Sequence, residues 1–193
     1  MEMIRQYLDG ISAAARATPV EPLVKLIDAL DKAYREDRFV FVIGNGGSAS
    51  NSSHFAEDLC KGCLEDTDRK RFRVLSLTDN TSFITAIAND LGYDRIFEFQ
   101  LRQFSRPGDV LIAISGSGNS PNVIRAAQYA LDQGLVLAGI TGFGGGALHK
   151  MAHIGVNVPL NDMCQSEAVH AMLMHVVTEA LRRRWHPSTP TRP

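Results

Sequence analysis

The sequence predicts an α/β domain, a five-stranded parallel sheet flanked by helices on both faces with a helical extension at the amino end. Two observations predict it. Five short runs rich in Val, Ile, Leu and Phe (residues 39–43, 72–77, 109–114, 135–140 and 154–158) alternate with segments of helical spacing, as strands buried on both faces do. Twice such a run feeds a loop of Gly, Asn and Ser that opens a helix: Gly44-Asn-Gly-Gly-Ser48 after the first run, and Ser115-Gly-Ser-Gly-Asn-Ser120 after the third. In such sheets ligands bind at the carboxyl ends of the strands, where both loops lie.

Residues 1–17 and 20–38 read as two helices parted by Thr18-Pro19. Leu23, Ile27, Leu30 and Ala33 recur at helical spacing and make a stripe that must pack on something. Helices placed ahead of an α/β unit, here residues 1–37, are expected to carry oligomer contacts. The helix launched after the first strand reaches Lys61-Gly62 and sets His54 and Asp58 on one face, one turn apart. Charged residues 65–71 form a surface connection to the second strand. Residues 84–88 and 93–103 read as helices, the second closed by Pro107-Gly108. Pro121 suits the first position of the helix after the third strand, and Gly134 closes it. A fourth strand, the flexible turn 141–146 and a lead through His149 to His153 bring the chain to its fifth strand. The last helix, 162–184, carries Glu167, His170 and His175, with arginines 182–184 in its final turn, where cations suit the dipole. Proline-rich residues 185–193 are expected to be a disordered tail, leaving 1–184 as one domain.

With 20 Lys+Arg against 21 Asp+Glu, charge points neither to nucleic acid nor to a membrane surface. No apolar run approaches membrane-spanning length, and Met-Glu-Met-Ile-Arg lacks a signal-peptide pattern, so the expected place is the cytoplasm. The odd set Cys60, Cys63 and Cys164 is a poor disulfide framework and agrees with that. Cys60-Lys-Gly-Cys63 has redox spacing but ends a helix rather than opening one, which favours a structural reading.

The chemistry points to a phosphate. Gly44, Gly46 and Gly47 let backbone N–H groups approach an anion at a helix start, and the hydroxyls of Ser115, Ser117 and Ser120 supply further donors. The second loop is the better equipped cradle, and Gly44 to Ser48 then contacts the rest of the ligand. His54 with Asp58 beside it is acid/base or metal-binding chemistry. Gly44-x-Gly-x-x-Ala49 also fits a dinucleotide fingerprint, but the acid expected about twenty residues on is missing, since Asp79 stands too far away.

Taken together, Gly44-Asn-Gly-Gly-Ser48, Ser53-His-Phe-Ala-Glu-Asp58, Thr85-Ala-Ile-Ala-Asn-Asp90, Gly108-Asp-Val-Leu-Ile112 and Ser115-Gly-Ser-Gly-Asn-Ser120 resemble the sugar isomerase (SIS) domain, in order and spacing over about residues 1–184. The resemblance implies a flavodoxin-like three-layer sandwich, a homotetramer with active sites between subunits, and often zinc. Its motifs are most similar to those of the family's enzymes that interconvert sedoheptulose 7-phosphate and D-glycero-D-manno-heptose 7-phosphate. By position, Asn45, Gly46 and Gly47 match one substrate-binding loop and Asn89 with Asp90 another. Ser115, Gly116, Ser117 and Ser120 match the phosphate cradle, though the family commonly has threonine where this chain has Gly116. His54 matches a metal and substrate ligand, Asp58 stands where the family usually has a catalytic glutamate, and His175 matches the second catalytic and metal-binding residue. Glu167 stands where glutamine is usual. The expected metal set is His54, Asp58, Glu167 and His175, with Asp58 and His175 catalytic and Glu167 also touching substrate. Helix geometry strains this set, because Glu167 and His175 lie about 12 Å apart along an ideal helix. His170, roughly 140° around the helix from His175, does not share its pocket. The other reading the family allows is a non-catalytic SIS protein that binds a sugar phosphate or a replication initiator.

Overall fold

The structure, a computed structural model, describes residues 1–63, 68 and 70–186. Strands β1 (Val40–Ile43), β2 (Val74–Ser76), β3 (Val110–Ser115), β4 (Val136–Thr141) and β5 (Ile154–Asn157) form one parallel sheet in the order β2-β1-β3-β4-β5. The winding therefore reverses between β1 and β3. Register sets Val42 beside Ile112 and Ile43 beside Ala113, so the loops leaving these strands emerge side by side at the switch point, where an open parallel sheet offers its ligand crevice.

Alternation along the strands builds two cores. Val40, Val42, Ile112 and Ile114 pack with Leu26 and Leu30 of α2 (Val20–Arg35) and Val177 of α8 (Met163–Trp185). Phe41, Ile43, Leu111 and Ala113 pack on the opposite face with Phe97 and Leu101 of α5 (Ile96–Phe104) and Ala126 of α6 (Pro121–Asp132). Truncating Phe41, wholly buried, to alanine is expected to cost about 3–5 kcal/mol. Ahead of the sheet, α1 (Glu2–Ala17) packs against α8.

Several boundaries differ from the sequence expectation, each for a local reason. The helix launched by β1 is α3 (Gly47–Glu57), and it passes at Asp58 into a π-turn (Asp58–Gly62) closed by the Cys63 N–H donating to the Asp58 carbonyl at 3.0 Å. Cys63 is buried there with its thiol on the Thr178 carbonyl, and burial pushes its pKa up to about 12, which bears out the structural reading. Helix α4 (Thr81–Asp90) starts earlier than expected because the Asn80 side chain caps it, accepting the Phe83 N–H at 3.0 Å. Residues 93–103 divide into a 3₁₀ turn (Tyr93–Arg95) and α5, and α7 (Gly146–Met151) starts at the last residue of the expected turn and takes up much of the expected lead into the fifth strand. Helix α8 runs on to Trp185, into the stretch expected as tail. Its indole donates to Asp31 at 2.8 Å and stacks near Tyr34 and Phe72, and His186 beyond it is buried. The rest of that stretch, 187–193, and residues 65–67 and 69 of the expected surface connection lie outside the described residues.

Candidate functional site

A cavity of about 250 Å³ opens at the switch point. The loop after β1 contributes Asn45, Gly46, Gly47 and Ser48, with Gly46 at φ +55°, a value that favours glycine. The loop after β3 contributes Ser115, Gly116, Ser117 and Ser120. Ser115 Oγ accepts the Gly118 N–H at 3.1 Å and pairs with Ser120 Oγ at 3.4 Å, and Ser117 Oγ accepts the Asn119 N–H at 3.2 Å, which leaves the Ser117 proton to donate. The first turns of α8 close the cavity with Met163 and Glu167. A Cβ at Gly116 would meet the Met163 thioether, so a larger residue there would have to displace that side chain. Among the described residues, no Lys or Arg lines the cavity. The groups it offers an anion are hydroxyls, amides and the start of α3, and among the described residues Glu167 is the one charged lining group.

A larger hollow of about 730 Å³ lies between α5 and α6, but its charges satisfy one another. Buried Glu98 takes both Arg102, at 2.6 Å, and Arg125. Burial alone would raise its pKa, and the hydrogen bonds from Arg125 and Arg102 outweigh that and hold it low. It is a salt-bridged groove.

Helices α3 and α8 run side by side in the same direction. Ser48 lies 3.5 Å from Glu167 Oε1, Asn51 donates to the Glu167 carbonyl at 3.1 Å, and farther along His54 meets His175 with ring centroids 5.0 Å apart. There Asp58 Oδ2 stands 3.8 Å from His54 Nε2 and 3.5 Å from His175 Nε2. Both imidazoles are more than half exposed, whereas the carboxylate is 19% exposed. The three residues bring one ligand atom each within 4.8 Å of one another, a donor set suited to a divalent metal.

Glu167 does not join this group. It sits two turns toward the start of α8 with its carboxylate over Gly47, so of the four expected ligands His54, Asp58 and His175 lie together and Glu167 stands apart. The eight-residue separation on a regular helix is the reason. His170 is fully buried away from the triad, with Nε2 donating to the Thr141 carbonyl at 3.0 Å and Nδ1 lacking a partner among the described residues. Burial pushes its pKa down, only partly opposed by that bond. Asn89 and Asp90 are exposed at the end of α4, bonded to each other at 2.7 Å, and line no part of the cavity.

Sequence reasoning missed Asn122 and Met163, while Ser48 lies in the loop it expected to contact the ligand. Asn122 is buried beneath the cavity in a reciprocal amide pair with Asn45, both bonds 2.9 Å. It also missed a network in which Ser53, next to His54, bonds Thr78 at 3.0 Å and Asp79. The cluster Ser76-Leu-Thr-Asp79 after a strand was the available signal for the second.

Residues 5–142 match the SIS domain family. The chain is 35% identical over 181 residues to a phosphoheptose isomerase of Aliarcobacter butzleri, covering 93% of this chain and 95% of that protein. It is 40% identical over 152 residues to one of Mycobacterium tuberculosis, covering 79% of this chain and 76% of the relative. Among solved structures, the phosphoheptose isomerase of Neisseria gonorrhoeae superposes with a TM-score of 0.84 at 31% identity, covering 93% of this chain and 95% of that one.

Proposed function

The chain belongs to the SIS domain family, and from that premise we propose that it is an isomerase interconverting sedoheptulose 7-phosphate and D-glycero-D-manno-heptose 7-phosphate, in heptose biosynthesis. The observation that carries this reading is the seam of α3 and α8, with an anion cradle at one end and the His54–Asp58–His175 triad farther along. From Ser48 to His54 the helix rises about 9 Å. In a heptose 7-phosphate the reacting C2 and the phosphorus are seven bonds apart, about 9 Å when extended, since bonds of roughly 1.5 Å advance about 1.25 Å each along a zigzag.

In the reaction, the Asp58 carboxylate takes a proton from C1 of the ketose. The electron pair left behind forms the C1–C2 double bond while the C2 carbonyl oxygen takes a proton from His175, giving the enediol. Returning a proton to C2 and taking one from the C1 hydroxyl leaves the carbonyl at C1. Both groups occupy one end of the seam, which suits transfer between adjacent carbons. Zinc is the proposed metal, held by His54, Asp58 and His175, and when bound it supplies polarisation of the carbonyl oxygen.

The reading extends to assembly and place. Residues 1–184 act as one domain whose leading helices make contacts in a homotetramer. Exposed Ile4, Leu8, Met172 and Val176 support such contacts, and Asn89 with Asp90 would then meet substrate in a neighbouring subunit's site. No helix among the described residues is long and apolar enough to cross a membrane, and the three free thiols fit the cytoplasm.

The test is incubation with sedoheptulose 7-phosphate and with fructose 6-phosphate, following aldose formation and exchange of the C1 proton with solvent. Turnover is expected with the seven-carbon ketose. Binding without turnover, unrelieved by added zinc, would move the chain to the non-catalytic SIS class.

A further inference from the structure

The two loops of the cavity are tied by one amide pair, and its polarity is dictated from outside the cavity. Asn122, the second residue of α6, is 2% exposed. Its Oδ1 accepts the Val123 N–H at 2.9 Å, so the amide cannot be reversed without setting N–H against N–H. Facing it, Asn45 must therefore present Nδ2 to Asn122 Oδ1 and Oδ1 to Asn122 Nδ2, each at 2.9 Å. From the other side the Tyr93 hydroxyl, carried on the 3₁₀ turn between α4 and α5, donates to Asn45 Oδ1 at 3.0 Å.

An amide oxygen accepts two hydrogen bonds and its nitrogen donates two. Both acceptor positions of Asn45 are thus filled, and one of its two N–H donors is engaged. A single N–H is all the polar capacity its side chain has left for the cavity it lines. Among the described residues that cavity has no cationic side chain, and it already contains the Glu167 carboxylate, so a freed amide oxygen would add a second acceptor beside an incoming anion.

We infer that Asn122 and Tyr93 are positioning residues that make Asn45 an obligate hydrogen-bond donor to a phosphoryl or sugar oxygen of the substrate. This rests on the sugar-phosphate reading above. Tyr93 is more than half exposed, so its hydroxyl adds little to the fold, and its effect on the ligand passes through Asn45.

The experiment measures sedoheptulose 7-phosphate and inorganic phosphate binding by calorimetry, together with KM, kcat and thermal midpoint, in the full chain and in Tyr93→Phe, Asn122→Asp and Asn45→Asp. Tyr93→Phe is expected to keep its midpoint and kcat while Kd and KM rise about fivefold, the loss of one ordinary hydrogen bond. Asn122→Asp, which still accepts from Val123 but no longer donates to Asn45, should weaken binding about tenfold or more. Asn45→Asp, an acceptor where a donor is required, should weaken it further. A merely structural role would lower the midpoint and the active fraction and leave KM unchanged. Wild-type binding with Tyr93→Phe and Asn122→Asp both within twofold of it would overturn the inference alone. Failure of the wild-type chain to bind either compound would overturn the sugar-phosphate reading and the inference with it.

Discussion

At the scale of single residues, the chemistry turns on side chains that the chain holds apart from their usual partners. Asp58 is one methylene shorter than the glutamate common in the family, yet its carboxylate already lies between both imidazoles. His175→Ala and Asp58→Asn should each reduce kcat about 10²–10⁴-fold, and metal analysis of the purified variants should find less zinc than in the parent. A fully active His175→Ala protein would remove it from catalysis. Glu167 places a negative charge in an anion cavity, so Glu167→Gln should tighten inorganic phosphate binding by about fivefold to tenfold at low salt, where a nearby charge is worth on the order of 1 kcal/mol. Unchanged affinity would mean that the anion sits beyond its reach. His170 sets a pH limit. Its folded-state pKa lies below the ordinary value of 6.5, so the unfolded chain takes the proton first, and stability present above pH 6.5 is lost as pH falls from there through the lowered folded value. Urea midpoints at pH 7 and pH 5 should diverge in the parent and converge in His170→Phe.

At the scale of elements, the strands and both loops were legible because buried parallel strands and glycine-rich turns have strong local signatures. Residues 39–43, 109–114 and 135–140 were expected as strands and contain β1 and most of β3 and β4, since short apolar runs bounded by glycine and polar turns suit buried strands better than helices. The α3–π-turn junction was not legible. It depends on Cys63 reaching the Thr178 carbonyl across 115 positions of sequence, a contact with no local pattern. The same holds for the Asn45–Asn122 pair, 77 positions apart, and for Trp185 on Asp31. The triad was half legible: one helical turn joins His54 to Asp58, whereas His175 entered only through a family likeness. Loop geometry gives its own prediction. Gly118 has φ +65° and its α-carbon faces the Gly145 carbonyl, so Gly118→Ala should destabilise the chain by at least about 1–3 kcal/mol and weaken anion binding together. A parental melting curve would show that the two loops are free to part.

At the scale of the whole molecule, apolar side chains remain uncovered along α1 and on α8 beside His175. Sedimentation should find a tetramer, and Val176→Asp should shift it toward smaller species with a parallel loss of turnover. The seam of α3 and α8 also carries a consequence for synthesis. Its two helices begin 116 residues apart, one in the first third of the chain and one at its end. A ribosome that has released everything through β5 has delivered the cradle loops, His54 and Asp58, but neither Glu167 nor His175. At that point the nascent chain carries only half of each site, and both the core face that α8 covers and the isomerising chemistry wait for the last helix to emerge and lie down beside the third.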